Sequence, residues 1–466
     1  MQKRFLDGIY RKPPKTPEPP KPKITPEIKP VLVPKKIRIG KRRRWLWILG
    51  VFLFLIMLFL VLFWQTLLGP QMALAKIASG LNGRYLILFQ NNTELRPAGG
   101  FIGSFAEAEI KNGQIKNWYF DANIYKRDKE FTKKKCIPSP APAQKIWGAG
   151  CMNMANANWS PDFQASMQDV AWYYQQENGN PVAGVIAVDT TFFTDLLRVI
   201  GPIQMSKYGL TVTPENFTNE VQYEVEKNYW SDQENWQINE PKTILKEMVP
   251  EVMARLKNWR LWPEILKTVM KNIKEKHILF SFENPDLQDV VLKNNWGGKV
   301  KETENDYLYI NDANLGGLKS SQSVKETVDL KSKIQDDGSI LNTLKLTRVH
   351  QGNGVWPDAV NKNYTRILVP KGSILIAKNN IDSIDSQEEL GKSEFGFWTT
   401  VSPGETKIFE ITYKLPLKIE SKYSLLIQKQ PGASAITFHF SFQNDALWRW
   451  DGEINEDKSI IVNLTE

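Results

Sequence analysis

Cysteine and histidine are scarce in this chain of 466 residues, which contains two cysteines and three histidines. Because a structural zinc site needs about four such ligands close together, a zinc module or a Cys/His metal cluster is nearly excluded. There is no Gly-x-Ser-x-Gly elbow either, so a Ser/His/Asp hydrolase is disfavoured. No glycine-rich run has the spacing of a Rossmann fingerprint or a P-loop.

Acidic residues are few in residues 1–44, which carry a net charge of +12, whereas the remainder carries −3. Nine of the 27 prolines lie between Pro13 and Pro34. A segment of this composition cannot bury a core, so we predict a disordered basic tail that acts as a solvated tether. The alternative is that the tail contacts anionic membrane lipid. Since the positive charge is confined to this tail, no nucleic-acid partner is expected.

Charge and proline are both missing from Trp45–Trp64, twenty residues that directly follow Lys41-Arg42-Arg43-Arg44. A helix of that length spans the ~30 Å hydrocarbon layer of a bilayer. The basic flank precedes the span, which places the N-terminal side in the cytoplasm. We therefore predict a cytoplasmic tail at 1–44, a transmembrane helix at 45–68, and an extracytoplasmic remainder anchored in the cell membrane.

Mixed strand and helix patterns predict an α/β domain at 80–320. The apolar run Tyr85–Phe89 is typical of a buried strand, and the Asn112-Gly113 pair between two strand patterns is a strong hairpin signal. Over 321–466, apolar and polar residues alternate with period two, as in Ile436–Phe442, and no convincing helix pattern is present. This second pattern predicts an antiparallel β-sandwich.

The two cysteines, Cys136 and Cys151, lie fifteen residues apart in a loop rich in Pro and Gly. Outside the cytoplasm a disulfide between them would persist, and closing a loop of this length contributes roughly 3 kcal/mol to stability. We predict this disulfide. The alternative is two unpaired thiols in a flexible loop.

The segment Gln90–Ser104 joins two predicted strands and is the first candidate for a functional site. Arg96 suits bidentate capture of a carboxylate or phosphate, and the backbone N–H groups of Gly99 and Gly100 could form an anion-binding nest. Glu94 could orient Arg96 or help to hold a divalent cation. The sequence does not identify a cofactor, and a divalent cation is the one candidate. The alternative is a turn whose polar groups satisfy one another. Further ligand-binding candidates are Asn91, Asn92 and Ser104.

Asp121 and Asp189 each follow a predicted strand and complete a candidate catalytic set with Arg96 and Glu94. Carboxylates at strand ends beside a loop of donors suit an acid, a base or a metal ligand. Strand-end aspartates also cap helices, and this alternative is strong for Asp189, which precedes Thr190-Thr191.

Four motifs are long enough to be specific: Leu86–Ser104, Ala157–Phe163, Gly184–Asp189 with Gly201-Pro202, and Asp312–Gly317. They resemble the signature of a bacterial membrane-anchored family catalogued as domain of unknown function 4012. The resemblance covers about residues 80–370. It implies a bacterial cell-envelope protein and supplies no activity.

The order of tail, membrane span and external α/β domain is more distantly similar to that of the LytR–CpsA–Psr family. Those proteins transfer glycan polymers from polyprenyl-pyrophosphate lipids to the cell wall. The similarity therefore implies a cell-wall glycan or a polyprenyl phosphate as a partner. That family carries an arginine and then an aspartate after its third strand, whereas Phe120-Asp121-Ala122 stands here. Most of the arginine cluster that would hold a pyrophosphate is thus missing.

Two hypotheses for function follow. In the first, the external α/β domain of an envelope protein binds an anionic glycan or a lipid-linked phosphate, with transferase activity left open. In the second, the protein is a non-catalytic envelope scaffold or adhesion protein. The position of the Arg96 guanidinium distinguishes them. An open cleft facing Asp121 and Asp189 favours the first hypothesis, and burial against Glu94 favours the second.

Overall fold

The structure is a computed structural model. The tail at 1–44 and the transmembrane helix at 45–68, both predicted from the sequence, lie outside the described residues. None of the helices in the described ranges combines the length and the apolar composition that a membrane span requires. Those ranges are 69–148, 150–238, 240–419, 422–444 and 446–464.

The first strands belong to the α/β part: β1 (Gly83–Arg96), β2 (Gly99–Lys111), β3 (Gln114–Asp121), β4 (Gly184–Asp189), β5 (Ile203–Met205), β6 (Leu210–Val212) and β7 (Ile278–Phe282). Five of them form a mixed sheet in the order β3-β2-β1-β4-β7, and β5 pairs with β6 separately. In the five-stranded sheet β1 and β4 run parallel, and the other neighbours are antiparallel. This arrangement confirms the predicted α/β layer.

Helices cover both faces of this sheet. They are α1 (69–80), α2 (Ile124–Lys134), α3 (Ala141–Trp147), α4 (Phe163–Gln176), α5 (Thr190–Ile200), α6 (Phe217–Tyr223), α7 (Tyr229–Ser231), α8 (Gln233–Ile238), α9 (Thr243–Leu256), α10 (Trp262–Lys274) and α11 (Pro285–Lys293). Local sequence sets several ends. Asp162 caps α4 by accepting from the Ala165 N–H at 3.1 Å, and Gly201, with φ of +82°, ends α5.

Two further local features match the sequence pattern. Asn112 and Gly113, with φ of 52° and 70°, form the turn between β2 and β3, as the hairpin signal predicts. Cys136 and Cys151 are joined by a disulfide that closes the segment containing α3.

The strands of the C-terminal part are β8 (Asp306–Asn314), β9 (Val324–Ile334), β10 (Ser339–His350), β11 (Asn361–Pro370), β12 (Ile374–Asn379), β13 (Asp385–Glu389), β14 (Lys392–Val401), β15 (Thr406–Lys418), β16 (Lys422–Gln428), β17 (Ile436–Gln443), β18 (Leu447–Ile454) and β19 (Lys458–Asn463). One sheet has the order β12-β15-β10-β9-β17-β18, and the other has the order β13-β14-β11-β8-β16-β19. Buried side chains of both sheets, such as Leu344 and Phe397, share one core. The two sheets therefore form a sandwich.

The prediction of a purely antiparallel sandwich is wrong at two strand pairs. β8 runs parallel to β16, and β9 runs parallel to β17. In addition, β8 lies before residue 321, where the predicted sandwich begins, although it has a central place in its sheet. The last four strands attach as two antiparallel pairs, β16 with β19 on one sheet and β17 with β18 on the other.

Buried polar contacts join the α/β part to the sandwich. Gln430 Nε2 donates to the carbonyls of Asp312 at 2.8 Å and Arg96 at 3.0 Å. Lys276, with 1% of its side chain exposed, forms a 2.6 Å ion pair with Asp457. The end of the β1–β2 hairpin is thus held against the sandwich.

Candidate functional site

The segment Gln90–Ser104 forms the end of the β1–β2 hairpin, in which a turn of two residues joins the strands. Gly99 has φ of +120°, and a Cβ at this position would lie 2.1 Å from Gln90 Oε1. At Gly100 a Cβ would lie 2.3 Å from the backbone carbonyl carbon of Asn91. These glycines let the two strands pack closely, because a side chain at either position would clash.

The Arg96 guanidinium is sealed inside the protein, with 3% of the side chain exposed. Its Nη2 donates to Glu94 Oε1 at 2.7 Å, and its Nη1 donates to the Asn314 carbonyl at 2.5 Å. The rings of Phe101 and Trp147 lie over the guanidinium carbon at 5.3 and 5.6 Å. This is the buried arrangement that the scaffold hypothesis expects, and Arg96 does not open to a cleft.

The two strand-end aspartates are buried and engaged in separate places. Asp121 Oδ2 accepts from Arg127 Nε at 2.8 Å. Asp189 caps α5 by accepting from the Phe192 N–H at 3.1 Å, and its other oxygen lies 2.6 Å from His277 Nδ1. In the part of the chain that the structure describes, neither aspartate contacts the buried guanidinium, and no group of three or more His, Cys, Asp or Glu could hold a metal ion.

The remaining candidates have mainly structural contacts. Asn91 Oδ1 accepts from the backbone N–H two residues later, at 3.1 Å. Asn92 Nδ2 donates to Thr191 Oγ1 and to the Gly432 carbonyl, both at 2.9 Å, and so ties β1 to α5 and to the sandwich. Ser104 is buried and, like Asn91, lines a cavity.

This cavity of about 630 Å³ lies between the sheet and helices α5, α6, α9 and α10. Its volume is in the range of small-molecule binding sites. Helix α9 supplies one wall along its whole length, about 21 Å at 1.5 Å per residue. Most of the lining is apolar and includes Phe89, Phe193, Phe217, Met248, Val252 and Ile265.

Charged side chains gather where the cavity meets β2 and the start of α9. Lys242 Nζ donates to the Gly103 carbonyl. Lys319 Nζ forms an ion pair with Glu94 and lies 3.6 Å from Glu226 Oε1. Arg96, which pairs with Glu94, completes the group. We call these five side chains the cationic end of the cavity: Arg96, Lys242, Lys319, Glu94 and Glu226.

The electrostatics of this end favour an additional anion. Burial lowers the pKa of Lys242 to about 7, and the charge of Lys319 acts in the same direction. Burial alone would raise the pKa of Glu94, but Arg96 and Lys319 outweigh it and hold this pKa below its ordinary value. An ammonium has three N–H donors, and within the described residues Lys242 uses one of them, to the Gly103 carbonyl. Its other two donors have no hydrogen-bond partner among the described residues, and the ammonium lies 5.5 Å from the centre of the Tyr125 ring.

The sequence interpretation missed this cavity and both lysines. The sequence feature that could have indicated the cavity is in α9. There the apolar residues cover a wider stripe of the helix than packing on one side of a core requires. The residues of that stripe are Ile244, Leu245, Met248, Val249, Val252, Met253 and Leu256. Lys242 and Lys319 gave no signal, because their partners are distant in sequence.

Residues 82–225 match the family described as "Protein of unknown function (DUF4012)", which confirms the expected resemblance over this stretch. No curated protein matches the chain. Among solved structures, native leukotriene A4 hydrolase from Saccharomyces cerevisiae is similar at 9% identity and a TM-score of 0.18. That likeness covers 30% of this chain and 29% of the yeast chain. It carries no argument about fold or function.

Proposed function

We propose that the chain is a single-pass membrane protein of the bacterial cell envelope, and that its external α/β part binds a lipid-linked phosphate such as a polyprenyl phosphate. The anchor and its direction rest on the sequence of residues 1–64. The ligand class rests on the cavity. The more distant similarity to LytR–CpsA–Psr proteins agrees with such a ligand.

One observation carries this proposal: a long apolar cavity that ends at a cluster of three basic and two acidic side chains, in which Lys242 Nζ has donors left for a ligand. A ligand that fits both features has an apolar chain and an anionic head. The chain would lie along α9, and the head would accept hydrogen bonds from Lys242 at the N-terminal end of that helix, where the helix dipole also favours an anion.

Burial of the chain supplies most of the binding energy. Each methylene group removed from water contributes about 0.8 kcal/mol, so ten of them contribute about 8 kcal/mol before the cost of association. An anionic glycan without a lipid would leave the apolar wall unoccupied. We therefore favour the lipid-linked phosphate over a free glycan.

The geometry supports binding better than group transfer. Arg96, Asp121 and Asp189 are each paired with a different internal partner, so their contacts do not support a joint catalytic role. The buried position of Arg96 favours a second candidate function, that of a non-catalytic envelope scaffold. In that case the cavity would bind no anion.

The test compares alkyl phosphates with alkyl alcohols of equal chain length, bound to the full chain in a non-ionic detergent and detected by native mass spectrometry. We expect the phosphates to bind more tightly, and we expect about a tenfold loss of affinity for each two carbons removed, because 1.4 kcal/mol is a factor of ten.

Lys242→Gln should weaken phosphate binding by about 10- to 100-fold, the value of a charge-assisted hydrogen bond, and leave alcohol binding unchanged. Lys246→Gln is the matched control, since Lys246 lies one turn further along α9 and is exposed. Equal affinities for phosphate and alcohol, or equal effects of the two substitutions, would contradict a phosphate site and leave the scaffold hypothesis.

A further inference from the structure

Large apolar side chains are exposed where α9 is followed by α10. Trp259 is 70% exposed, Trp262 59%, Met253 47% and Leu266 40%. We call residues 253–267 the α9–α10 tip. By contrast, Trp296, which follows α11, is buried in the core. Exposed aromatic and aliphatic groups of this size mark a surface that contacts another apolar phase.

The conformation of the tip keeps these groups on the outside. Trp262 Nε1 donates to the carbonyl of Leu256 at 2.9 Å, so the indole is fixed across the end of α9. Leu266 follows Trp262 by four residues on α10 and therefore shares its face. The exposed apolar surface is thus held in place by a hydrogen bond and by helix geometry.

Positive charge surrounds this surface. The tip contains Arg255, Lys257, Arg260 and Lys267 and one acid, Glu264, which lies 3.6 Å from Lys267. Lys257 and Arg260 are exposed on either side of Trp259. Indole rings flanked by exposed cations are the combination that settles at the interface of an anionic bilayer.

The tip is continuous with the apolar part of the cavity. Met253, Leu256 and Ile265 line the cavity, and Met253 is also half exposed at the surface. The cationic end of the cavity lies at the other end of α9. An apolar chain that enters at the tip would therefore meet the cationic end only after passing along the helix.

We propose that the α9–α10 tip is a membrane-docking surface whose partner is the interface of a bilayer containing anionic lipids. Trp259 and Trp262 insert among the headgroups, and Lys257 and Arg260 pair with lipid phosphates. Docking brings the apolar opening of the cavity to the bilayer.

The test places a fluorescent label at the tip of the full chain, reconstituted in vesicles of phosphatidylcholine and phosphatidylglycerol. The chain's two cysteines are paired in a disulfide, so Trp259→Cys provides a unique thiol. Ile374→Cys is the matched control, because Ile374 is 61% exposed on the edge strand β12. Lipids brominated on their acyl chains then quench a label that inserts.

We expect quenching and a blue shift at position 259 and neither at position 374. Lys257→Gln combined with Arg260→Gln should lower the ratio of docked to undocked protein by about 30-fold, because each cation near an anionic surface contributes about 1 kcal/mol. Equal signals at the two positions would overturn the proposal, and so would quenching that is independent of phosphatidylglycerol. A blue shift that vanishes at one chain per vesicle would identify a second copy as the occupant and would also overturn it.

This proposal goes beyond the lipid-linked phosphate and does not require it. The label at 259 reports contact with the bilayer, whereas the alkyl phosphate series reports the cavity. Either result can therefore fail while the other stands.

Discussion

Lys242 holds its ammonium between the Gly103 carbonyl and the ring of Tyr125, at the cationic end of the cavity. Burial and the nearby Lys319 lower its pKa to about 7, so near neutral pH about half of the free protein lacks this charge. A bound anion stabilises the ammonium. Binding above pH 7 must therefore take up a proton, which links affinity to pH.

We expect the affinity for a singly charged probe, methyl dodecyl phosphate, to fall about tenfold per pH unit above pH 7 and to be constant below pH 6. A phosphodiester is chosen because a phosphate monoester itself titrates near pH 6. In Lys242→Arg, which stays charged, the affinity should not depend on pH. Titration calorimetry of both proteins from pH 6 to 9 checks this. Parallel pH profiles would assign the titration to another group.

Arg96 shows how far single residues can be interpreted from sequence. The pairing with Glu94 could be foreseen, because the two side chains lie on the same side of one strand, two residues apart. The contacts that bury the guanidinium could not be foreseen, because Asn314 and Trp147 are distant from Arg96 in sequence. The sequence therefore could not predict whether the Arg96 guanidinium is exposed to an anion or buried, because its exposure depends on the tertiary structure.

At the scale of elements, α2 and α4 are packed through two buried carboxyl groups, Asp128 of α2 and Glu177, which caps α4. Burial raises the pKa of both groups, and for Glu177 the charge of Asp128 adds to this effect. Arg127 donates to the Glu177 backbone carbonyl at 3.3 Å, and the Met154 N–H donates to Asp128 at 2.9 Å. The folded pair therefore keeps a proton that the unfolded chain releases above about pH 4.3.

Because the folded state binds more protons, the free energy of unfolding should decrease as the pH rises above about 5, by about 1.4 kcal/mol per unit for each retained proton. Glu177→Gln removes the titration of Glu177, whose pKa burial raises to about 9, and should be the more stable protein at pH 8. Urea unfolding at pH 5 and pH 8 measures the difference, with Glu130→Gln, an exposed residue of α2, as the control. A wild-type stability that stays constant between these pH values would refute the retention of a proton by the folded pair.

Local elements were well predicted, and their long-range pairing was not. The strand that contains Tyr85–Phe89, the strand β4 and the β2–β3 hairpin follow from apolar runs and the Asn-Gly signal. The parallel pairs β8/β16 and β9/β17 join strands that are far apart in sequence, and period-two alternation is the same for parallel and antiparallel neighbours. The cavity depends on how several helices pack, so it could not be foreseen.

At the scale of the whole molecule, the α/β part and the sandwich share a buried ion cluster. Asp457 accepts from Lys276 at 2.6 Å and from Lys301 at 2.8 Å. A charge left unpaired in such a place costs about 3–5 kcal/mol. The cluster should therefore make the two parts unfold together.

Asp457→Asn should lower the stability of the protein by about 3–5 kcal/mol, because Lys276 would remain buried without its acidic partner. The neighbouring Glu456→Gln breaks an exposed ion pair with Lys274 and should cost less than about 1 kcal/mol. Denaturant unfolding followed by far-UV circular dichroism and by tryptophan emission checks both values. Equal small losses in the two variants would show that the cluster does not couple the parts.

The attachment of β16–β19 has a consequence for biosynthesis. These four strands supply one flank of each sheet of the sandwich, and β8 and β9 depend on them for a neighbour. While the ribosome still holds the C-terminus, both strands present open edges, which are sites of aggregation. A premature stop codon shortly before residue 422 would make that transient state permanent. We expect a chaperone that covers bare strands to be needed from the synthesis of β8 and β9 until β16–β19 are complete.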